Sequence, residues 1–187
     1  VPPGNLTVFK AALNRVFQLD LAVPGAPAQL EQAALDKGGF SVLLFRYLLE
    51  NPAQPAEERF TRAFGGFVQC CDDCFDVWFD RQCQTFTLAT YFLEKNKPEQ
   101  LRDSLERRFG EVARAARQLH RPAYRRETAL RIVWFLAGIT RVCLRHYSQL
   151  KKKRGTLPLG VRRDMVVDMG RWRNRWRAFL EILKNRM

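Results

Sequence analysis

Residues 151–179, KKKRGTLPLGVRRDMVVDMGRWRNRWRAF, hold ten Lys or Arg against two Asp. The guanidinium group is planar and forked and grips a phosphate or carboxylate with two parallel hydrogen bonds, so this is chemistry for holding anions. Lys151, Lys152, Lys153 and Arg154 are expected in an exposed loop before Gly155 and Pro158, where a cationic run fits a phosphate backbone or the acidic groove of a nuclear import receptor. Arg162 and Arg163 fall at the expected start of the last helix, where the helix dipole disfavours cations and a compensating partner is implied. Arg171, Arg173, Arg175 and Arg177 alternate with Trp172 and Trp176. Met165, Met169, Trp172, Trp176, Phe179 and Leu183 recur at three and four, which predicts a helix with both tryptophans in the core and the arginines in water.

Upstream, Arg107, Arg108, Arg114 and Arg117 belong to a helix expected over 99 to about 120, with Arg121 at its end, and Arg125, Arg126 and Arg145 to one expected over about 124–150. If the three C-terminal helices pack side by side, these rows merge into one basic surface that positions phosphates without reading bases. The plainer alternative is an ordinary solvated face.

Cys70 and Cys74 stand one helical turn apart, as do Cys143 and His146. Two helices crossing there would assemble a Cys/Cys/Cys/His set suited to zinc. The competing expectation is packing, because free cysteine is among the most buried residue types. Asp72, Asp73, Asp76 and Asp80 form an acidic edge on the same helix, expected to dock a basic partner or the basic half of a second copy. Their spacing lacks the glycine turn of a calcium loop, no glycine-rich phosphate cradle accompanies them, and His120 before "RP" suits a helix end better than a general base. A Cys143/His146 nucleophile pair has no orienting acid, so catalysis is not expected.

Charge sharpens the picture. The net charge of +13 is unevenly spread over 187 residues: residues 1–96 carry 8 Lys or Arg against 11 Asp or Glu, and residues 97–187 carry 24 against 8. General solubility does not require that asymmetry, and a single-signed field attracts polyanions. Five cysteines, three of them in "CCDDC", favour reduced thiols and a nuclear or cytoplasmic home. Neither a membrane-spanning run nor a signal-peptide pattern is read in the sequence.

The elements that must position these groups are helical throughout. Asn5 or Thr7 is expected to cap a first helix carrying Leu6, Phe9, Leu13, Val16 and Phe17 on one stripe. A short helix over 30–37 should stop at Gly38 and Gly39, and an apolar helix should follow until "NPAQP". Residues 55–94 read as helix, interrupted at Gly65 and Gly66. No period-two run appears, so the expected fold is all-α, a single compact domain (1–187) of seven or eight helices in orthogonal or bundle-like packing.

These readings converge on a non-catalytic helical protein that binds nucleic acid, RNA or single strands, with little sequence preference, since no helix-turn-helix, zinc-finger, RNA-recognition or KH signature is present. The alternative is a helical protein-interaction or regulatory module whose apolar groove takes a partner helix and whose basic face meets an acidic protein or a membrane.

Overall fold

The computed structural model describes residues 5–19, 26–49, 51 and 53–184, with the side chains of all but 15–19 and 184. The expected contributions of Val16 and Phe17 lie outside the described side chains. The chain is all-α: nine helices and no strand occur among the described residues. They are α1 (Leu6–Leu19), α2 (Pro27–Tyr47), α3 (Pro55–Phe75), α4 (Val77–Gln82), α5 (Leu88–Glu94), α6 (Pro98–Arg117), α7 (Ala123–Arg154), α8 (Arg162–Met165) and α9 (Trp172–Lys184).

Prolines open α2, α3 and α6, where a missing N–H costs nothing and the fixed φ already suits a helix. Asn5 serves a tertiary contact: buried, it donates its side-chain amide to the carbonyls of Tyr47 and Leu49, tying the start of α1 to the end of α2.

Gly38 and Gly39 do not stop a helix, and Gly65 and Gly66 do not interrupt one. Both pairs sit inside continuous helices, α2 and α3, which run antiparallel and cross there. A Cβ on Gly38 would stand 2.7 Å from the Gln69 Cβ, and one on Gly66 would stand 2.9 Å from the Leu35 Cα. The glycines let two backbones meet, and the packing outweighs the roughly 1 kcal/mol each costs in helix propensity. The crossing is extended by Arg62 to Asp36 (2.5 Å) and Arg46 to Glu57 (2.9 Å).

One core draws on both halves of the chain. Phe67, Cys70, Cys74 and Val77 meet Leu93, Leu101, Leu105 and Val112 and, from α7, Val133, Cys143, Leu144 and Tyr147. Tyr147, fully buried, has a hydroxyl whose single proton is shared between the carbonyls of Cys74 (2.8 Å) and Met165 (3.2 Å), which ties α3, α7 and α8 together. Antiparallel to α7, α6 is stapled to it by Arg141 to Glu106 and Lys151 to Glu99.

Two expectations at the C-terminal end are corrected. Lys151–Arg154 is the last turn of α7 rather than a loop: cations there suit the negative end of the helix dipole, and Gly155, at φ 77°, provides the left-handed stop. The expected last helix is broken between residues 166 and 171. Val166 is extended, and Asp168 accepts the Gly170 N–H on its side chain, a local turn that competes with helix.

Candidate nucleic-acid interface

The break decides where the aromatic stripe points. Met165 and Val167 are buried in the core before the chain turns, and α9 then starts afresh with its own phase. Its buried side is Ala178 and Glu181, with Ile182 packed beside them. Ala178 and Ile182 fit over Gly138 of α7, where a Cβ would stand 2.7 Å from Ile182 Cγ1, and Glu181 is ion-paired with Arg145. At 100° per residue the stripe of Trp172, Trp176, Phe179 and Leu183 is turned about 140° away from that face. Trp172 is therefore 67% exposed and Trp176 52%, against the expectation that both lie in the core. Phe179, Leu180 and Leu183 are exposed beside them.

Two rows now run side by side along α9. Trp172 and Trp176 form one, with the Trp176 and Phe179 ring centroids 5.5 Å apart. Arg173 and Arg177 form the other, displaced by one residue, or 100° around the helix. Arg175 lies on the opposite flank of the tryptophans. Arg173, Arg175 and Arg177 are exposed and have no carboxylate partner among the described residues.

Beside the cationic row is a cavity of about 560 Å³, walled by His146 of α7, Arg163 of α8, residues 166–168 and the first turns of α9. Arg163, Arg171, Arg173 and Arg177 line it. His146 Nε2 donates to the carbonyl of Asp164 at 2.6 Å, which ties this wall to α7.

The remaining candidate cations separate by what they already hold. Arg108 bonds both Glu31 (3.0 Å) and Glu111 (2.7 Å), Arg107 reaches Glu31 at 3.4 Å, and Arg121 Nη2 is shared between the two oxygens of Glu57 at 3.1 Å. Lys151 is paired with Glu99, Arg154 with Asp164 at 2.6 Å, Arg145 with Glu181, and Arg171 faces Asp168 at 3.5 Å. Arg125 donates to the Tyr124 hydroxyl, Arg126 to the Arg121 carbonyl, and Arg162 lies over the rings of Trp78 and Phe79. Arg114, Arg117, Lys152 and Lys153 are exposed and have no carboxylate partner among the described residues.

The basic groups do not merge into one surface. Arg114, Arg117, Arg121, Arg125 and Arg126 lie around the turn from α6 to α7, whereas Arg163, Arg173 and Arg177 share a cavity with His146 in the C-terminal half of α7, and Lys152 and Lys153 stand in its last turn. That helix is 32 residues long, about 48 Å. The import-receptor reading rested on a loop that is helix, with two of its four cations in ion pairs.

Among the described residues no group of three or more His, Cys, Asp and Glu side chains is placed to hold an ion. Cys74 donates its thiol to the Cys70 carbonyl and Cys143 donates to the Cys74 carbonyl, both at 3.2 Å, while His146 is engaged with Asp164. Burial pushes the Cys71 and Cys143 thiols up to about 12 and those of Cys70 and Cys74 well above the usual thiol range, so these groups stay protonated and pack as small apolar side chains.

Nor is the acidic edge a uniformly open one. Asp72 is exposed, but Asp73 is buried and accepts from the Gln69 amide at 2.8 Å. Burial, with the charges of Asp80 and Asp72 adding to it, pushes Asp73 up to about 7. Asp80 is pushed up to about 6 by burial and by Asp76 and Asp72, and its Oδ2 is buried without a hydrogen-bond partner among the described residues.

No family model, no curated protein and no solved structure matches the chain. No described helix is long and apolar enough to cross a membrane.

Proposed function

We propose that this protein binds single-stranded nucleic acid, RNA or DNA, with little sequence preference, through the outer face of α9 and the adjoining end of α7. The observation that carries the reading is the exposed Trp172 and Trp176 row standing one residue from the exposed Arg173 and Arg177 row. Single-strand binders combine cations that follow the backbone with aromatic faces on which bases stack, and stacking tolerates every base. Lys152 and Lys153, exposed in the last turn of α7 with no carboxylate partner among the described residues, add cations to the same half of that helix.

The stripe of Phe179, Leu180 and Leu183 beyond the tryptophans favours a second reading, an anionic membrane surface on which α9 lies in the interface plane. Titration of a labelled mixed-sequence oligonucleotide and of anionic vesicles separates the two. Oligonucleotide binding that weakens steeply between about 50 and 200 mM salt supports the first reading. Binding of vesicles without oligonucleotide overturns it.

A further inference from the structure

We infer that the cavity between α7, residues 166–168 and α9 receives the terminal phosphate of a bound strand. The inference rests on the single-strand reading above and names what one part of that interface recognises.

Four arginines line the cavity against two aspartates among the described residues. Two carboxylates lie in its wall and both are taken. Asp164 Oδ2 holds Arg154 at 2.6 Å, and Asp168 accepts the Gly170 N–H at 2.8 Å while facing Arg171 at 3.5 Å. Arg163, Arg173 and Arg177 then line one concavity with no carboxylate partner among the described residues. Like charges gathered this way repel one another, and an anion bound among them relieves the repulsion.

The charge favours the end of a strand over its middle. A phosphodiester within a strand carries one negative charge, set against the four arginines that line this cavity. A terminal phosphomonoester carries about 1.5 to 2 negative charges near neutral pH and presents three acceptor oxygens, which suits guanidinium forks arriving from α8 and α9. With that phosphate in the cavity, the first bases of the strand fall beside Trp172 and Trp176, which neighbour Arg173 and Arg177 on the helix surface.

The test compares one oligonucleotide sequence in three forms: 5′-phosphorylated, 3′-phosphorylated and with hydroxyls at both ends. Each is titrated against the full chain and against Arg163→Ala/Arg177→Ala, two exposed positions whose replacement is checked for fold by circular dichroism. One phosphorylated form is expected to bind about tenfold or more tighter than the unphosphorylated strand, and the double variant to lose that preference. Equal affinity of the three forms for the wild-type chain overturns the cavity assignment alone. Failure of all three to bind at low salt overturns the single-strand reading and the ligand with it. An arm with inorganic pyrophosphate separates the phosphate chemistry from the nucleic acid: a rise in melting temperature in the wild type, absent in the double variant, is expected, and an equal rise in both proteins overturns the cavity as the binding place.

Discussion

At the scale of single residues, burial decides which titratable groups are inert and which are strained. Four of the five cysteines are buried with their thiols held protonated, and Cys83 alone is exposed. Alkylation at neutral pH is therefore expected to label Cys83 in the folded chain and the other four only after denaturant, a pattern that mass spectrometry reads directly; rapid native labelling of Cys74 or Cys143 would contradict the packing. The sequence already offered burial as the alternative to zinc, and the thiols followed their general preference. Asp73 was not legible as a core residue, because nothing in "CCDDC" says which aspartate faces inward. Its raised pKa means that the folded chain binds its proton more readily than the unfolded chain does. The stabilisation is full below the ordinary carboxylate range and is lost as pH rises through about 7. The opposite sign applies to Glu57, held low first by its hydrogen bond from Arg46, whose contribution is lost only as pH falls below the usual glutamate range. Thermal melts are thus expected to rise as pH is lowered from 7.5 to about 5, and Asp73→Asn, which keeps a polar group beside Gln69, is expected to flatten that rise.

At the scale of helices, periodicity located α6 and most of α7 because each keeps one phase from end to end, and it misread the glycine pairs and the last helix for two different reasons. Glycine carries the same local signal whether it ends a helix or admits a neighbour, and only the antiparallel crossing of α2 and α3 distinguishes them. Gly65→Ala puts a methyl group 2.9 Å from Val42 Cγ2 and against the Gly38 backbone, so it is expected to destabilise by about 1–3 kcal/mol or more, measurable by denaturant melts, even though alanine is the better helix former. For the last helix, Met165 and Met169 are in phase with Trp172 and Trp176 along the sequence, but the Asp168 turn resets the phase between them. Phase can be carried only through unbroken helix. Trp176→Ala is accordingly expected to leave stability within about 0.5 kcal/mol, as for other exposed positions, where a core tryptophan would cost about 3–5 kcal/mol. The same variant should weaken single-strand binding by about 1–3 kcal/mol because a base can no longer stack there, which an anisotropy titration beside the melt would read.

At the scale of the whole molecule, composition reported the charge asymmetry correctly but not its division. The second half of the chain is basic because α6, α7 and α9 are, yet its cations are spread along a helix about 48 Å long and its neighbours, and many are held: arginines by Glu31, Glu57, Glu106 and Glu181, and Lys151 by Glu99. Arg114 with Arg117 near one end of α7 and Arg173 with Arg177 toward the other are exposed and have no carboxylate partner among the described residues, and exposed tryptophans accompany the second pair. Long-range attraction depends on total charge, so removing either pair should slow association at low salt to a similar degree. Neutralisation of phosphates in the bound state depends on place. Replacing Arg173 and Arg177 by Ala should flatten the slope of log K against log salt by roughly one to two units, about one for each phosphate left without its guanidinium. The control, Arg114→Ala/Arg117→Ala, removes the same number of charges and should leave that slope nearly unchanged for an oligonucleotide too short to span α7. Both double variants should melt within about 1 kcal/mol of the parent, since neither pair holds a carboxylate among the described residues. If the two variants flatten the slope equally, the chain binds polyanions by net charge alone and α9 has no special part in it. If only the first does, the rows of tryptophan and arginine are the place where the strand lies.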